Sequence, residues 1–260
     1  MPQSALLIGP ATVITTHPSS GVVSDAGVLC SGGKITAVGP WAQLVREHGS
    51  AQRLDAEGRV VMPGFINAHH HLYSTFSRGM PFVPGTPLRN FGEVLENIWW
   101  RLDRALDLEA VAAGAWPPVL DCIHWGAGTI VDHHASPSAI RGSLDALARV
   151  CEAVGLRAAL CYEITDRNGV EDVALGLEEN LAFFNRAPSD RFRGMIGLHA
   201  SFTVSDETLA LVQRTVPQDA PIHIHAAEDA MDVKHAKQKH GRGVVERLEH
   251  HGLLRKNSIL

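Results

Sequence analysis

The chain is 260 residues long, 45% hydrophobic and 20% charged, with a formal net charge of −5; this allows one large domain, or one large and one small, with a substantial core. No basic stripe exists, so nucleic-acid binding by counterion release is not expected. No apolar run approaches the roughly 18 residues of a membrane span, and residues 1–7 lack the charged and apolar regions of a signal peptide.

Residues 1–58 are rich in Val, Ile, Gly and Thr and show little helical period. Short strands are predicted over 6–8, 12–14, 28–30 and 35–38, with Gly32-Gly33 suited to a tight hairpin between the last two. The texture changes at 59. Strand-like runs at 60–62 and 64–66 lead into a histidine cluster, and helical pattern follows over 90–108 and 109–123. A strand is predicted at 129–131. Ser136-Pro137 then reads as a helix start, with Ile140, Leu144, Leu147, Cys151 and Val154 holding the period. Next come a strand at 158–161, a helix with Val170, Val173, Leu177, Leu181 and Phe184 on one face, and a strand at 195–198. Ser205 caps a helix that carries Asp206 and Glu207 in its first turn. A strand at 222–225, a helix at 244–250 and an apolar Ile259-Leu260 complete the pattern.

Strand followed by helix, five times over, predicts a parallel sheet. No Gly-x-Gly-x-x-Gly follows the first strand, which weighs against a dinucleotide-binding sheet. The expectation is an α/β, (β/α)8 TIM-type barrel over 59–260, with a small β-sandwich portion over 1–58. At about 40 residues per unit, eight units need roughly 320 residues after position 58. The reading is therefore a barrel truncated after about five βα units, with two raw parallel edges.

Cys30, Cys122, Cys151 and Cys161 form no Cys-x-x-Cys pair, which argues against a disulfide framework and a thiolate zinc site; a reduced, cytoplasmic setting is the default. Histidine is over-represented, with 15 residues, and several close predicted strands. In Pro63-Gly64-Phe65-Ile66-Asn67-Ala68-His69-His70-His71, side chains alternate across the strand, so His69 and His71 share a face and can grip one cation. Pro221-Ile222-His223-Ile224-His225-Ala226-Ala227-Glu228 closes another strand. His225 can supply a third nitrogen, and Glu228 falls in the following loop, where a carboxylate can take a proton from metal-activated water. The competing reading of Glu228 is a helix N-terminal charge; that of the histidines is a solvated strand end. His223 reads as support or core packing. His199 closes the strand at 195–198 and is a candidate substrate contact, or else a hydrogen-bonded strand-end residue. His133 and His134 close the strand at 129–131; one of them lines the pocket, or they cap the next helix. Trp99-Trp100 reads as core before substrate platform. Phe76, Arg78 and Met80 follow His71 and are within reach of a ligand. His235, His240, His250 and His251 read as solvated.

At these residues the chain resembles the amidohydrolase superfamily. Asp55-Ala56-x-Gly58 leading to Met62-Pro63-Gly64-Phe65-Ile66-Asn67-Ala68-His69-x-His71 is similar to its opening motif, and His225-x-x-Glu228 to the fifth-strand motif of its deaminase and chlorohydrolase branch. Within that branch, Asp132-His133-His134-Ala135-Ser136-Pro137 and Cys161-Tyr162-Glu163 look like the SsnA aminohydrolase group. The resemblance covers about positions 5 to 260 and implies a barrel flanked by a small β-sandwich built from both chain ends. It implies that His69, His71 and His225 bind one divalent metal, zinc ahead of iron, that Glu228 shuttles a proton and that His199 faces substrate. The family also uses a histidine after strand six and an aspartate after strand eight, neither of which falls within these 260 residues.

The expected activity is hydrolysis of carbon–nitrogen bonds other than peptide bonds, by deamination of a small heterocycle. Glu228 is the catalytic residue, His199 and His133 are the substrate contacts, and His69, His71 and His225 are the ligands. Homo-oligomerisation stays open; no nucleic acid or membrane partner is expected. The alternative is a non-catalytic metal-binding fragment or interaction protein.

Overall fold

The computed structural model describes residues 5–19, 21–80, 87–186 and 189–260; most of the amino-terminal stretch read for a signal peptide, residues 1–4, lies outside them. The chain divides into two compact units, Met1–Gly64 and Phe65–Leu260.

The first unit is a five-stranded sheet. β1 (Leu6–Ile14) pairs antiparallel with β2 (Val22–Ser31), which pairs with β3 (Lys34–Pro40). The two strands predicted at 6–8 and 12–14 are one strand, because a register shift between Ile8 and Ala11 absorbs Gly9-Pro10. Leu7, Ala11 and Val13 are buried at alternate positions, as a half-covered strand requires. Gly32 and Gly33 both have positive φ, 58° and 75°, the conformation a two-residue hairpin demands. Helix α1 (Trp41–Glu47) has no counterpart in the sequence reading. The Trp41 ring covers Gly9 and Gly27, where an added Cβ would lie 2.8 and 2.9 Å from it. β4 (Gln52–Leu54) and β5 (Val60–Val61) both run parallel to β1.

The second unit is a parallel sheet backed by helices. Its strands are β6 (Phe65–His70), β7 (Ala127–His134), β8 (Arg157–Ile164), β9 (Phe192–Gly194), β10 (Ile196–Ala200) and β11 (Ile222–His225). The order is β6-β7-β8-β10-β11, with β9 also on β8. β9 and β10 follow one another along β8, so the sheet has five positions in chain order, and Ile259 bridges in parallel to His223 on β11. A flat sheet would hold its outer strands ~19 Å apart at about 4.8 Å per step. Instead His69 on β6 and His223 on β11 touch, Nδ1 to Nε2 at 2.8 Å. The sheet is therefore curled into part of a barrel, with first- and last-strand side chains meeting inside.

Between β6 and β7 lie a 3₁₀ turn (Leu72–Ser77), α2 (Phe91–Val94), a π-helical turn (Leu95–Trp99), α3 (Trp100–Arg104) and α4 (Leu108–His124). The others are α5 (Ser143–Ala153), α6 (Val170–Phe184), α7 (Asp206–Thr215), α8 (Ala230–His240) and α9 (Val244–His250). Among the described residues, no helix is long and apolar enough to cross a membrane. The main core fills the space between α4, α5 and the sheet, around Val111, Val119, Ile130, Leu144, Leu147 and Leu160. A second core packs α7 and α9 on β10 and β11 through Leu209, Val212, Ile222 and Leu248.

Two local expectations need correction. Ser136-Pro137 does not open α5. Its hydroxyl is taken by His134 Nε2 at 2.8 Å and by Ala139 O at 3.0 Å. The cap comes from α6, where Glu179 accepts the N–H groups of Gly142 and Leu144 at 2.9 and 3.0 Å. Val170, placed on the buried face of α6, is 81% exposed, because it occupies the first turn before the helix settles on the sheet. Ser205 caps α7 as expected, accepting from Thr208 N at 3.1 Å.

Candidate active site

The curl of the sheet gathers His69, His71 and His225 at the C-terminal ends of β6 and β11. Their ring centroids are 4.8 to 5.1 Å apart, and one ring nitrogen from each lies within 4.8 Å of the others. The hydrogen bonds fix where the protons sit. His71 Nδ1 donates to the His133 carbonyl at 2.6 Å, and His225 Nδ1 donates to the His199 carbonyl at 2.8 Å. A carbonyl only accepts, so both Nε2 atoms carry lone pairs, and they face each other at 3.2 Å.

His69 is oriented by a longer chain. The Cys161 thiol donates to the Asp132 carbonyl at 3.5 Å and receives His223 Nδ1 at 3.7 Å. His223 Nε2 is then an acceptor for His69 Nδ1–H, which leaves the other ring nitrogen of His69 with its lone pair. Burial pushes the Cys161 thiol well up, so it keeps its proton. The support role read for His223 is thus seen as a contact.

All these imidazoles are shifted toward their neutral form. Burial, then the neighbouring His225, lowers His69 and takes His71 down to about 3; burial also lowers His225. Two neutral rings presenting lone pairs at 3.2 Å repel each other unless a cation lies between. Tetrahedral zinc with bonds of about 2.0–2.1 Å places its nitrogens roughly 3.3 Å apart. The donor set therefore fits a divalent ion.

Beside the histidines is a cavity of 290 Å³, lined by His71, His225, Glu228 and His199 and walled by Trp99, Trp100, Asp103 and Glu163. Ala227 has φ of 56°, a turn that sets Glu228 at the cavity's edge. Burial raises the Glu228 carboxyl, while His69 opposes the shift. His199 is 6% exposed, with its ring 5.7 Å from that of His225. His133 is fully buried and is not part of the lining; its ring stands 4.6 Å from His225 and its Nδ1 3.6 Å from Glu163 Oε2. A larger cleft of 730 Å³ beside α5 and β9 holds none of the histidines and offers no comparable chemistry.

The sequence reading missed the charged wall. Arg167 pairs with both Asp103 and Glu163, and all three are buried; its guanidinium also lies 5.0 Å over the Trp100 ring. Glu163, a carboxylate at the end of an apolar strand with an arginine four residues on, was the available signal. The run of α2, the π-helical turn and α3 carries Phe91, Leu95, Trp99, Trp100 and Asp103 to one side of the cavity, so the tryptophans are cavity wall and not core alone. Phe76 packs on Gly114 of α4, and Arg78 pairs with Asp121 at 3.5 Å; neither lines the cavity, nor does Met80, whereas Tyr73 and Ser74 of the same segment do. His240 and His251 are not simply solvated, since both bond Asp206, at 3.1 and 3.2 Å.

A sequence profile described as "Amidohydrolase family" matches residues 60–260, and one described as "Imidazolonepropionase-like composite domain, bacteria" matches residues 26–51. A 5'-deoxyadenosine deaminase of Methanosarcina mazei is 32% identical over 249 residues, covering 94% of this chain and 54% of that protein. A 5-methylthioadenosine/S-adenosylhomocysteine deaminase of Thermococcus sibiricus is 29% identical, covering 92% and 53%. Among solved structures, an atrazine chlorohydrolase from Arthrobacter aurescens TC1 complexed with zinc superposes with a TM-score of 0.78 at 22% identity, over 95% of this chain and 58% of that one. An adenosine deaminase from Xanthomonas campestris with bound zinc gives 0.76 at 24% identity, over 96% and 56%. The fold is thus that of amidohydrolase barrels, and the chain spans about half the length of the curated relatives it matches. With a profile match across the whole sheet and the paired histidines at its strand ends, the chain belongs to the amidohydrolase family.

Proposed function

We propose that this chain is a metal-dependent hydrolase of carbon–nitrogen bonds other than peptide bonds, acting by hydrolytic deamination of a small heterocycle. The observation that carries the reading is the pair of Nε2 atoms, on His71 and His225, facing each other at 3.2 Å while both Nδ1 atoms are held by carbonyls. The named activities of the two curated relatives, both deaminases, support it, and a zinc-bound structural neighbour is an adenosine deaminase.

His69, His71 and His225 would hold one divalent ion, zinc in preference to iron, because three nitrogen donors with an open side match catalytic zinc sites. The ion supplies Lewis acidity, which lets water ionise near neutral pH. Glu228 takes the proton of the attacking water and returns it to the departing amine. Its raised carboxyl pKa suits a group that must both accept and donate near neutrality. His199 contacts substrate directly at the cavity wall. His133 acts behind it, through its approach to Glu163. The 290 Å³ cavity matches a small molecule.

The test is ammonia release from amino-purines and amino-triazines by the zinc-loaded chain, compared with Glu228→Gln. Loss of roughly 10²–10⁴-fold in turnover, with zinc content unchanged, is the expected result. Equal turnover in the variant removes Glu228 from the reaction. Bound zinc with no ammonia from any probe favours a metal-binding role without catalysis.

A further inference from the structure

We propose that His199 Nε2 and Glu163 Oε1 form an acceptor pair that selects a substrate edge bearing an amino group over one bearing a carbonyl. The inference deepens the reading of the cavity as a substrate pocket and rests on it.

Thr203 sets the tautomer of His199. Its hydroxyl lies 2.6 Å from His199 Nδ1 and 3.1 Å from the Ala200 carbonyl. The carbonyl can only accept, so the single hydroxyl proton goes there. The hydroxyl oxygen must then accept from His199 Nδ1–H, and His199 Nε2 keeps its lone pair.

Glu163 is fixed in the same way from the other side. His133 Nε2 lies 3.0 Å from the Leu198 carbonyl and must donate to it. His133 Nδ1 is therefore an acceptor, buried and without a partner, and it stands 3.6 Å from Glu163 Oε2. Burial pushes the Glu163 carboxyl up to about 8, and the proton of the neutral acid is best placed on Oε2, facing that nitrogen. Glu163 Oε1 receives Arg167 Nη2 at 3.3 Å and remains an acceptor whether or not Oε2 is protonated.

On these assignments two acceptors face each other, His199 Nε2 and Glu163 Oε1, at 4.0 Å. Both side chains are more than nine-tenths buried, and both line the cavity. An amino nitrogen about 2.9 Å from each would satisfy the pair with its two hydrogens. A carbonyl oxygen in that place would bring a third set of lone pairs against two buried acceptors, which buried sites reject strongly.

The test is calorimetric affinity of the zinc-loaded chain for 2,6-diaminopurine and for hypoxanthine, in a Glu228→Gln background that prevents turnover. The diamino compound is expected to bind at least roughly tenfold more tightly. Glu163→Met should bring the ratio to within about threefold. Glu163→Gln should preserve it, because its amide N–H can face His133 Nδ1 while its oxygen keeps the place of Oε1. Thr203→Val, which frees His199 Nδ1, should lower the ratio independently, so the idea stays open to test if Glu163→Met does not fold. A wild-type ratio near one, a ratio that survives both Glu163→Met and Thr203→Val, or binding of neither purine overturns the proposal. Affinity is read without turnover. A clear preference with no ammonia release in the parent chain keeps the acceptor pair and removes the hydrolase, and the reverse result does the opposite.

Discussion

Asn180 brackets Tyr162. From α6 its Oδ1 accepts the Tyr162 N–H at 2.9 Å, and its Nδ2 donates to the Tyr162 carbonyl at 2.8 Å. The same amide reaches Gly197 N at 3.3 Å and Gly176 O at 2.9 Å. A side chain here replaces ladder bonds just where β8 passes from β9 to β10. The fit leaves no room on the sheet side, since a Cβ on Gly197 would lie 2.3 Å from the Tyr162 carbonyl. Asn180→Leu strands several buried backbone groups, at about 1–3 kcal/mol each. Urea unfolding should show a loss of at least about 3 kcal/mol. A loss under about 1 kcal/mol would mean water replaces the amide.

His225 supplies one of the two opposed lone pairs, and its removal should be felt in metal content. Zinc measured after dialysis is expected near one ion per chain for the wild type, and well below that for His225→Ala and His71→Ala. His235→Ala, remote from the cluster, should bind like wild type. Full zinc in His225→Ala would show that the ion sits elsewhere.

Acid should weaken the fold. Burial takes both His134 and His223 down to about 3, with His71 adding to the first and His69 to the second. In the unfolded chain both titrate near 6.5. Between those values the unfolded state binds more protons, so stability falls as pH drops from about 6.5 toward about 3. At one unit below 6.5 the loss is roughly 1 kcal/mol for each such histidine. Unfolding free energies at pH 7.5 and 5.5, measured in chelator, check this. Equal values at the two pH values would show that these rings are already charged in the folded chain.

Arg247 on α9 is 1% exposed. It donates to Ser201 O at 2.5 Å, Val204 O at 2.8 Å and Asp206 Oδ1 at 2.8 Å, and so holds the turn that carries Thr203 beneath His199. Arg247→Met should destabilise by at least about 2 kcal/mol, because the buried Ser201 and Val204 carbonyls lose their donor at about 1–3 kcal/mol each, whereas Asp206 is half-exposed. Arg247→Lys should recover part of that loss. Indistinguishable melting of wild type and Arg247→Met would show that the turn holds itself.

The histidines were legible because strand alternation is local. His69 and His71 share a face by their spacing, and Glu228 falls a fixed step past His225. The charged wall was not. Asp103 and Arg167 lie 64 residues apart, and each alone reads as an ordinary helix charge. Arg167 is a local neighbour of Glu163, four residues on, but only the tertiary fold brings Asp103 to it. The cap of α5 failed for the same reason, since Glu179 comes from the next helix while Ser136 is drawn away by His134. Helix α1 is set by the Trp41 ring over two glycines, a packing fact with no periodic trace over seven residues.

The meeting of β6 and β11 makes an ion at this site a staple between the first and last staves. Only the fully rolled sheet presents all three rings, so a bound ion would favour that state by mass action. At a hundred times its dissociation constant the gain is about 2.7 kcal/mol. Zinc titrated into a partly denatured sample should therefore refold it, and the midpoint of that transition would measure how tightly the two edges are drawn together.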